Sequence, residues 1–152
     1  MRKIAYNNRM IIREFTVSDH KAALNLWHTA EGVCNCEKCI YLDSRERIER
    51  FLLRNPGLSF VAEEGGAIIG TVLCGHDGRT GLIYRLTVSE KFRKKGLGKA
   101  LVENAVEALK SEGLTIVKLF VLNDNHAGNA FWKKIGFKEN DAAVTRSMVI
   151  KT

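Results

Sequence analysis

The sequence has little proline and no long apolar run. Pro56 is the single proline among 152 residues, aromatic residues make up 8%, and no internal repeat or low-complexity segment is present. No window approaches the roughly 20 apolar residues that a membrane-spanning helix needs. The basic start "MRKIAYNNRMIIREF" lacks the apolar stretch of a signal peptide. We therefore expect a cytoplasmic protein with no membrane partner, folded as one domain over residues 1–152.

Cysteine is also scarce. The four cysteines are Cys34, Cys36, Cys39 and Cys74, and in a reducing compartment they should be free thiols or metal ligands. The first three have the spacing Cys-x-Cys-x-x-Cys, and three thiolates so close together are able to bind zinc with a fourth ligand such as His28 or Cys74. A second Cys-x-x-Cys pair is absent. We therefore expect exposed, reduced thiols and no required metal.

Acidic residues are outnumbered. Lys and Arg total 24 against 17 Asp and Glu, which gives a net charge of +7. Such a balance suggests an anionic partner, either nucleic acid, an acidic membrane surface or a phosphorylated small molecule, or simply a solvated surface. The aromatic residues lie mostly at core-periodic positions and form no base-stacking platform. We therefore expect no nucleic-acid partner.

Apolar periodicity predicts alternating strands and helices. Strands are predicted at residues 10–16, 58–64, 67–76, 82–88 and 115–122, with final strand material in "FKEN" and "VTRSMVI". Helices are predicted after the capping residues Ser18 or Asp19, after a capping box of Asp43 and Glu46, at roughly 96–112, and at 127–135. The strand–helix–strand unit from 82 to 122 predicts two parallel strands beside antiparallel hairpins, hence a mixed sheet.

The long helix opens on an unusual stretch, "RKKGLGK", from Arg93 to Lys99. Most helices begin with Ser, Thr, Asp or Asn, whose side-chain oxygen accepts from the first free amides. Here glycines and cations stand instead, a combination that indicates a phosphate or pyrophosphate cradle. A Walker loop would need Gly at 93 and Ser or Thr at 100, and the dinucleotide fingerprint would need Gly at 101, so neither fits.

The remaining pattern, Arg-x-x-Gly-x-Gly between a strand and a long helix, resembles the acyl-CoA loop of the GNAT N-acetyltransferase superfamily. The segment "NHAGNAFWKKIGF", from Asn125 to Phe137, resembles that family's C-terminal motif. The stretch "GTVLCGHDGRTGLIYRLTV" is similar to a subgroup of small bacterial members. The resemblance implies an α/β (α+β) GNAT fold, with a mixed central sheet of about six to seven strands flanked by about four helices.

The resemblance also implies a reaction, the direct transfer of an acetyl group from acetyl-CoA to a primary amine. The amine could belong to a peptide N-terminus, a lysine or a small molecule. In the family, the pantetheine arm pairs with the strand before the loop, here Leu86, Thr87 and Val88, and Asn125 contacts the CoA arm or caps the last helix. The residues that would bind the CoA pyrophosphate are Arg93, Lys94, Lys95, Gly96, Leu97, Gly98 and Lys99.

The sequence departs from the family where the reaction needs an acid and a base. The tyrosine that often protonates the leaving sulfur falls at Trp132, which we expect to pack against CoA or the core. Strand 82–88 has no carboxylate. Tyr84 is the candidate catalytic residue, with His76 and Asp77 as candidate substrate ligands. The ordinary alternatives are a core tyrosine and two turn residues.

Two acidic residues near the cysteines, Glu31 and Glu37, are candidate ligands of a cationic acceptor, because the family's acceptor groove borders this segment. Two rival functions stay open. The missing tyrosine and carboxylate would also suit a catalytically silent acyl-CoA-binding module, and the positive charge would suit a nucleic-acid-binding protein. Family members often dimerise, so the resemblance allows a homodimer.

Overall fold

The computed structural model describes residues 4–7 and 10–150, with side chains from Met10 onward. The chain divides into two compact units, residues 1–120 and 121–152. The strands of the first unit are β1 (Ile4–Asn7), β2 (Met10–Glu14), β3 (Phe60–Glu64), β4 (Ala67–His76), β5 (Gly81–Val88) and β6 (Val117–Leu119). Its helices are α1 (His20–Thr29), α2 (Glu37–Leu42), α3 (Arg45–Arg54) and α4 (Leu97–Ser111). The second unit contains α5 (His126–Lys134).

The six strands form one sheet in chain order, from β1 to β6. Every neighbouring pair is antiparallel except β5 and β6, which are parallel because α4 returns the chain to the same edge. The predicted mixed α/β sheet is therefore confirmed, with the strand count at the lower end of the predicted range. The described helices number five, since the predicted loop after α1 contains the short helix α2.

Helices α1 and α4 cover opposite faces of the central strand β4, where residues 69–75 are buried. On one face, a Cβ added to Gly70 would lie 3.0 Å from Cδ1 of Leu101 in α4. On the other face, Nε1 of Trp27 in α1 donates to Oγ1 of Thr71 at 2.9 Å. Adjacent strand residues point to opposite faces, so these two contacts assign each helix to its side of the sheet.

The entrance to α1 is held by an ion-pair network. The guanidinium of Arg13 on β2 contacts both carboxylate oxygens of Asp19 at 2.8 Å and Oε2 of Glu63 at 2.8 Å. Asp19 also accepts from the amide of Thr16 at 2.9 Å. Burial alone would raise the pKa of the Asp19 carboxyl, but the hydrogen bonds from Arg13 and Thr16 outweigh it and lower that pKa.

Several element boundaries differ from the predictions. Strand β1 was not predicted. The capping box assigned to Asp43 and Glu46 is wrong, because α3 begins after Ser44 and has no side-chain cap. The final strand is also wrong, since residues 138–150 have no regular secondary structure. Among the described residues, no helix has the length and apolarity needed to cross a bilayer.

Candidate active site

The loop between β5 and α4 adopts two left-handed backbone conformations. Lys94 has φ +59° and Gly96, the N-cap of α4, has φ +83°. Glycine adopts this conformation without a steric penalty, and other residues rarely do. The next side chain, Leu97, is 1% exposed and anchors the helix start in the core. The loop therefore turns sharply, with one apolar residue fixing where the helix begins.

The first turn of α4 presents its amides without protein acceptors. No side chain caps the helix, and the first backbone bond runs from the amide of Ala100 to the carbonyl of Gly96 at 3.0 Å. Within the described residues, the amides of Gly96, Leu97, Gly98 and Lys99 donate to no protein group. Such amides, together with the helix dipole, favour an anion at this position.

The side chains around this turn are cationic. Lys94, Lys95 and Lys99 are exposed, and Nζ of Lys95 lies 5.5 Å from the ring centroid of Phe92. Nζ of Lys99 is 3.6 Å from a carboxylate oxygen of Glu103, one helical turn onward. Amides, helix dipole and ammonium groups thus share one sign of charge, and this donor set fits a diphosphate.

Arg93 has a different position from its neighbours. Its Nε donates to the carbonyl of Val88, the last residue of β5, at 3.0 Å. This hydrogen bond from the Arg93 guanidinium holds the β5–α4 loop against the end of β5. Arg93 therefore positions the cradle, while the exposed donors of the cradle come from the residues after it.

Strand β5 contains a bulge just before the predicted pairing residues Leu86, Thr87 and Val88. Thr71 pairs with Thr87 and Leu73 pairs with Tyr84, so Arg85 and Leu86 together face one residue of β4. Arg85 has φ +49°, which is uncommon for a side chain other than glycine. Its carbonyl accepts from Oγ1 of Thr71 at 2.8 Å, and Thr71 in turn accepts from Trp27. The buried Trp27 therefore holds the bulge through one hydroxyl.

Beyond the bulge, no strand among the described residues pairs with the second edge of β5. Its parallel pairing with β6 extends only over Gly81–Ile83 in the described residues, whereas its pairing with β4 continues to Val88. Leu86, Thr87 and Val88 therefore lie where the two parallel strands have separated. An open strand edge can pair with an extended amide-containing ligand. The predicted cradle and the predicted pairing strand thus meet at the carboxyl end of β5.

Tyr84 immediately precedes the bulge. Its ring packs edge-on against Phe51 of α3 at 6.0 Å, and the residue is 39% exposed. Burial, with a smaller contribution from Cys74, raises the pKa of its phenol above the ordinary value. The phenol is therefore protonated at neutral pH and can donate a proton.

Arg85, which the sequence did not single out, connects β5 to the cysteine-bearing segment. Because of the bulge its guanidinium lies on the same sheet face as Tyr84, 5.6 Å from the ring of Trp27. It forms a bidentate ion pair with Asp43, and Nη1 donates to the carbonyl of Cys34 at 3.1 Å. The two side chains of the pair are 13% and 6% exposed. Both ends of segment 34–43 are thus fastened to one side chain.

The fastened segment brings three thiols together. The Sγ atoms of Cys34, Cys36 and Cys39 lie 3.1–3.3 Å apart. The amide of Cys39 and the two neighbouring thiols lower the pKa of Cys36 to about 7. Burial and the thiols of Cys34 and Cys36 raise the pKa of Cys39 to about 12. The two acidic residues predicted to attract an acceptor, Glu31 and Glu37, are exposed on this part of the chain.

His76 and Asp77 lie at the other end of β5. The imidazole Nδ1 of His76 accepts from the amide of Gly78 at 3.0 Å, and Oδ1 of Asp77 accepts from the amides of Arg79 and Thr80 at 2.8 Å. These bonds build the turn between β4 and β5. At about 3.3 Å per residue, the turn is about 20 Å from Val88. The structure does not bring these two candidates to the cradle, and the turn interpretation accounts for both.

The remaining candidates lie in the second unit. Oδ1 of Asn125 accepts from the amide of Gly128 at 2.9 Å, so Asn125 is the N-cap of α5. The ring of Trp132 packs edge-on between Phe131 and Phe137, each at a centroid distance of 5.1 Å. Asn125 thus has the capping contact, and Trp132 the packing contacts, that the sequence offered as alternatives to binding CoA.

Comparison with known proteins identifies the family of this chain. Residues 16–137 match the sequence model of the Acetyltransferase (GNAT) family. The chain is 32% identical to an acetyltransferase of Pectobacterium atrosepticum over 146 residues, which cover 93% of this chain and 97% of that protein. The chain belongs to the GNAT acetyltransferase family.

Two solved structures share the fold. One is the PaiA N-acetyltransferase from Thermoplasma acidophilum in complex with coenzyme A, with a TM-score of 0.75 and 22% identity, covering 87% of this chain and 91% of that one. The other is the ribosomal-protein-S18-alanine N-acetyltransferase from Escherichia coli, with a TM-score of 0.68 and 20% identity, covering 86% of this chain and 79% of that one.

Proposed function

We propose that this protein is an acetyl-CoA-dependent N-acetyltransferase that transfers acetyl to a primary amine, with residues 1–152 acting as one domain in the cytoplasm. The observation that carries the proposal is the uncapped start of α4 beside the open edge of β5. Acetyl-CoA supplies an acetyl group already activated as a thioester. The chain has to bind the diphosphate, align the arm and handle two protons.

The cradle binds the diphosphate through backbone amides and surrounding ammonium groups. Residues that contribute are Lys94, Lys95, Gly96, Leu97, Gly98 and Lys99, with Arg93 holding the loop in place. The coenzyme A in the solved PaiA structure supports this use of the shared fold. We place the pantetheine arm along Leu86–Val88, where a strand amide can donate to the acyl carbonyl and stabilise its developing negative charge.

The acceptor must lose a proton before it reacts. A lysine-like amine has a pKa near 10.4, so about one molecule in a thousand is neutral at pH 7.4. Because the phenol of Tyr84 is protonated, we assign Tyr84 as the proton donor to the leaving sulfur. In the family a tyrosine often has this role, but this chain has Trp132 at that position. Water removes the first proton from the ammonium before attack. As the C–N bond forms and the C–S bond breaks, Tyr84 donates its proton to the sulfur, and the second proton of the amine returns through water to the Tyr84 phenolate.

We place the acceptor beside segment 34–43, which Arg85 fastens to the strand that holds the thioester. Glu31 and Glu37 then provide negative charge for a cationic amine. Replacing both with glutamine should raise the KM for a cationic acceptor and leave the KM for acetyl-CoA unchanged. An unchanged acceptor KM would exclude this placement.

The deciding experiment measures CoA thiol release from acetyl-CoA over a panel of peptide N-termini, lysine peptides, polyamines and small amines. Turnover with an amine, and acetylated amine in the product, supports the enzyme. Tight CoA binding without turnover on any amine would favour a silent binding module, which the lack of a carboxylate on β5 also suits. Salt-dependent DNA or RNA binding that CoA does not displace would favour the nucleic-acid alternative.

A further inference from the structure

The three thiols of segment 34–43 form a triangle that the acetyl-transfer chemistry does not use. The distances between Sγ atoms are 3.3 Å from Cys34 to Cys36, 3.3 Å from Cys36 to Cys39, and 3.1 Å from Cys39 to Cys34. In the part of the chain that the structure describes, these three are the group of metal-ligating side chains whose ligand atoms converge. No disulfide links them.

The convergence is built by the surrounding contacts. The carbonyl of Cys34 accepts from Arg85 and the carboxylate of Asp43 pairs with it, so the segment is closed at both ends. Between these points the chain turns into α2, with Cys36 just before the helix and Cys39 in its first turn. Cys36 is exposed and the other two are half-buried. The thiols are therefore gathered by the fold and open to solvent.

The size of the triangle suits a soft cation. Zinc–thiolate bonds of about 2.3 Å in a tetrahedral site separate the sulfur atoms by about 3.8 Å. The hydrogen-bonded thiols would reach this separation if each sulfur moved outward by about 0.3 Å. Neither sequence-based candidate for a fourth ligand, His28 or Cys74, belongs to the cluster. Cys74 is fully buried in β4, whereas Cys36 is exposed, and we therefore assign the fourth position to a solvent molecule.

We propose that Cys34, Cys36 and Cys39 form a three-thiolate site for a thiophilic d10 cation, with Zn²⁺ as its test ligand and a solvent molecule in the fourth position. Three S–Zn bonds form as the thiol protons leave to solvent. Binding fixes the carbonyl of Cys34 and, through it, the guanidinium of Arg85. The thiols take no part in the proposed acetyl transfer, although the proposed acceptor position lies beside the same segment. The metal site stands whether or not the proposed function does.

The test uses the reduced full-length chain under anaerobic conditions. We expect one equivalent of Zn²⁺ per chain, removable by chelator, and a thiolate-to-metal charge-transfer band when Co²⁺ replaces Zn²⁺. Bound Zn²⁺ should protect three thiols from alkylation, counted by mass spectrometry. Cys36→Ser should weaken Zn²⁺ binding at least about 100-fold. Cys74→Ala is the matched control and should bind as tightly as the native chain.

Circular dichroism of both variants checks that the fold is retained. Three outcomes overturn the proposal: no Zn²⁺ uptake at micromolar metal by the folded, reduced chain; equal affinity in Cys36→Ser; or loss of affinity in Cys74→Ala as large as in Cys36→Ser. In a separate sample exposed to air, dioxygen can oxidise two thiols to a disulfide. A disulfide formed there by a chain that took up no Zn²⁺ when reduced would assign the triangle to redox chemistry and would also overturn the proposal.

Discussion

Replacing Gly96 with alanine separates the stability of the loop from its affinity for CoA. Gly96 has φ +83°, and a left-handed conformation costs an alanine about 1–2 kcal/mol. Part of that cost is offset, because alanine lowers the conformational entropy of the unfolded chain by about 0.4–1 kcal/mol. A net loss of about 1 kcal/mol should lower the Tm of a chain this long by about 2–4 °C.

Gly66 provides a control with the same backbone φ angle. It also has φ +83°, in the turn between β3 and β4, and no atom lies within 4 Å of a Cβ added there. Gly66→Ala should therefore lose the same stability. Only Gly96→Ala should lose CoA affinity, by about tenfold or 1.4 kcal/mol, because relaxation of the strained loop misaligns the first-turn amides. Calorimetry with CoA and thermal unfolding measure the two quantities.

The pair of variants can refute the reasoning in either direction. Equal CoA affinity in both variants and in the native chain would mean that the geometry at Gly96 does not control binding. Equal loss of affinity in both would mean that the effect follows from stability. Gly96→Ala and Gly66→Ala should show similar decreases in Tm, and only Gly96→Ala should show a higher dissociation constant for CoA.

Three further predictions test contacts elsewhere in the first unit. Asp43→Asn should lower the free energy of unfolding by about 3 kcal/mol in urea titration, because the substitution leaves the charge of Arg85 buried without a counterion. A change below about 1 kcal/mol would mean that the Arg85–Asp43 ion pair contributes no more than an exposed ion pair does. The folded-state pKa of Asp19 is lowered, so the ionised carboxylate adds stability that is present above its unfolded pKa of 3.8 and is lost as pH falls through the folded pKa. In Asp19→Asn, the free energy of unfolding should therefore fall less steeply as pH drops below 3.8. An unchanged slope in that variant would contradict this contribution. Tyr84→Phe should reduce kcat about 100-fold with little change in the KM for acetyl-CoA; native kcat in that variant would remove Tyr84 from the reaction.

The elements best predicted from the sequence have strong local signals. Helix α4 was predicted at 96–112 and lies at Leu97–Ser111, because its apolar stripe and the glycines before it specify both the face and the start. The strands predicted at 58–64 and 67–76 are separated by only two residues, both glycine, and β3 and β4 pair as an antiparallel hairpin across them. The parallel pairing of β5 with β6 followed from the helix between them.

The features that were missed depend on partners distant in the chain. Arg85 lies within the apolar run "LIYRLTV", and only the register with β4 shows that it occupies a bulge. Asp43 has the sequence context of a helix cap, yet Arg85, 42 residues away, provides its partner. One local signal was available, since a single arginine in a mostly apolar strand calls for a buried counterion.

The cysteine spacing suggested a cluster but could not establish that the thiols converge. Convergence depends on the contacts of Cys34 and Asp43 with Arg85, which belong to the tertiary structure. The same limit applies to "VTRSMVI", whose β-branched residues favour a strand. Residues 138–150 form no strand, because strand propensity depends on context and does not by itself make a strand.

The most direct test of the central claim compares acetyl-CoA with a ligand that lacks its diphosphate and nucleotide, and adds pyrophosphate as a competitor. Calorimetry should show that the purified chain binds acetyl-CoA in the micromolar range and binds acetyl-pantetheine, which lacks the diphosphate and nucleotide, at least about 100-fold more weakly. Inorganic pyrophosphate should compete with acetyl-CoA. Equal affinity for the two acetyl ligands, or no heat with acetyl-CoA at millimolar concentration, would contradict the assignment of the amides after Gly96 to the coenzyme.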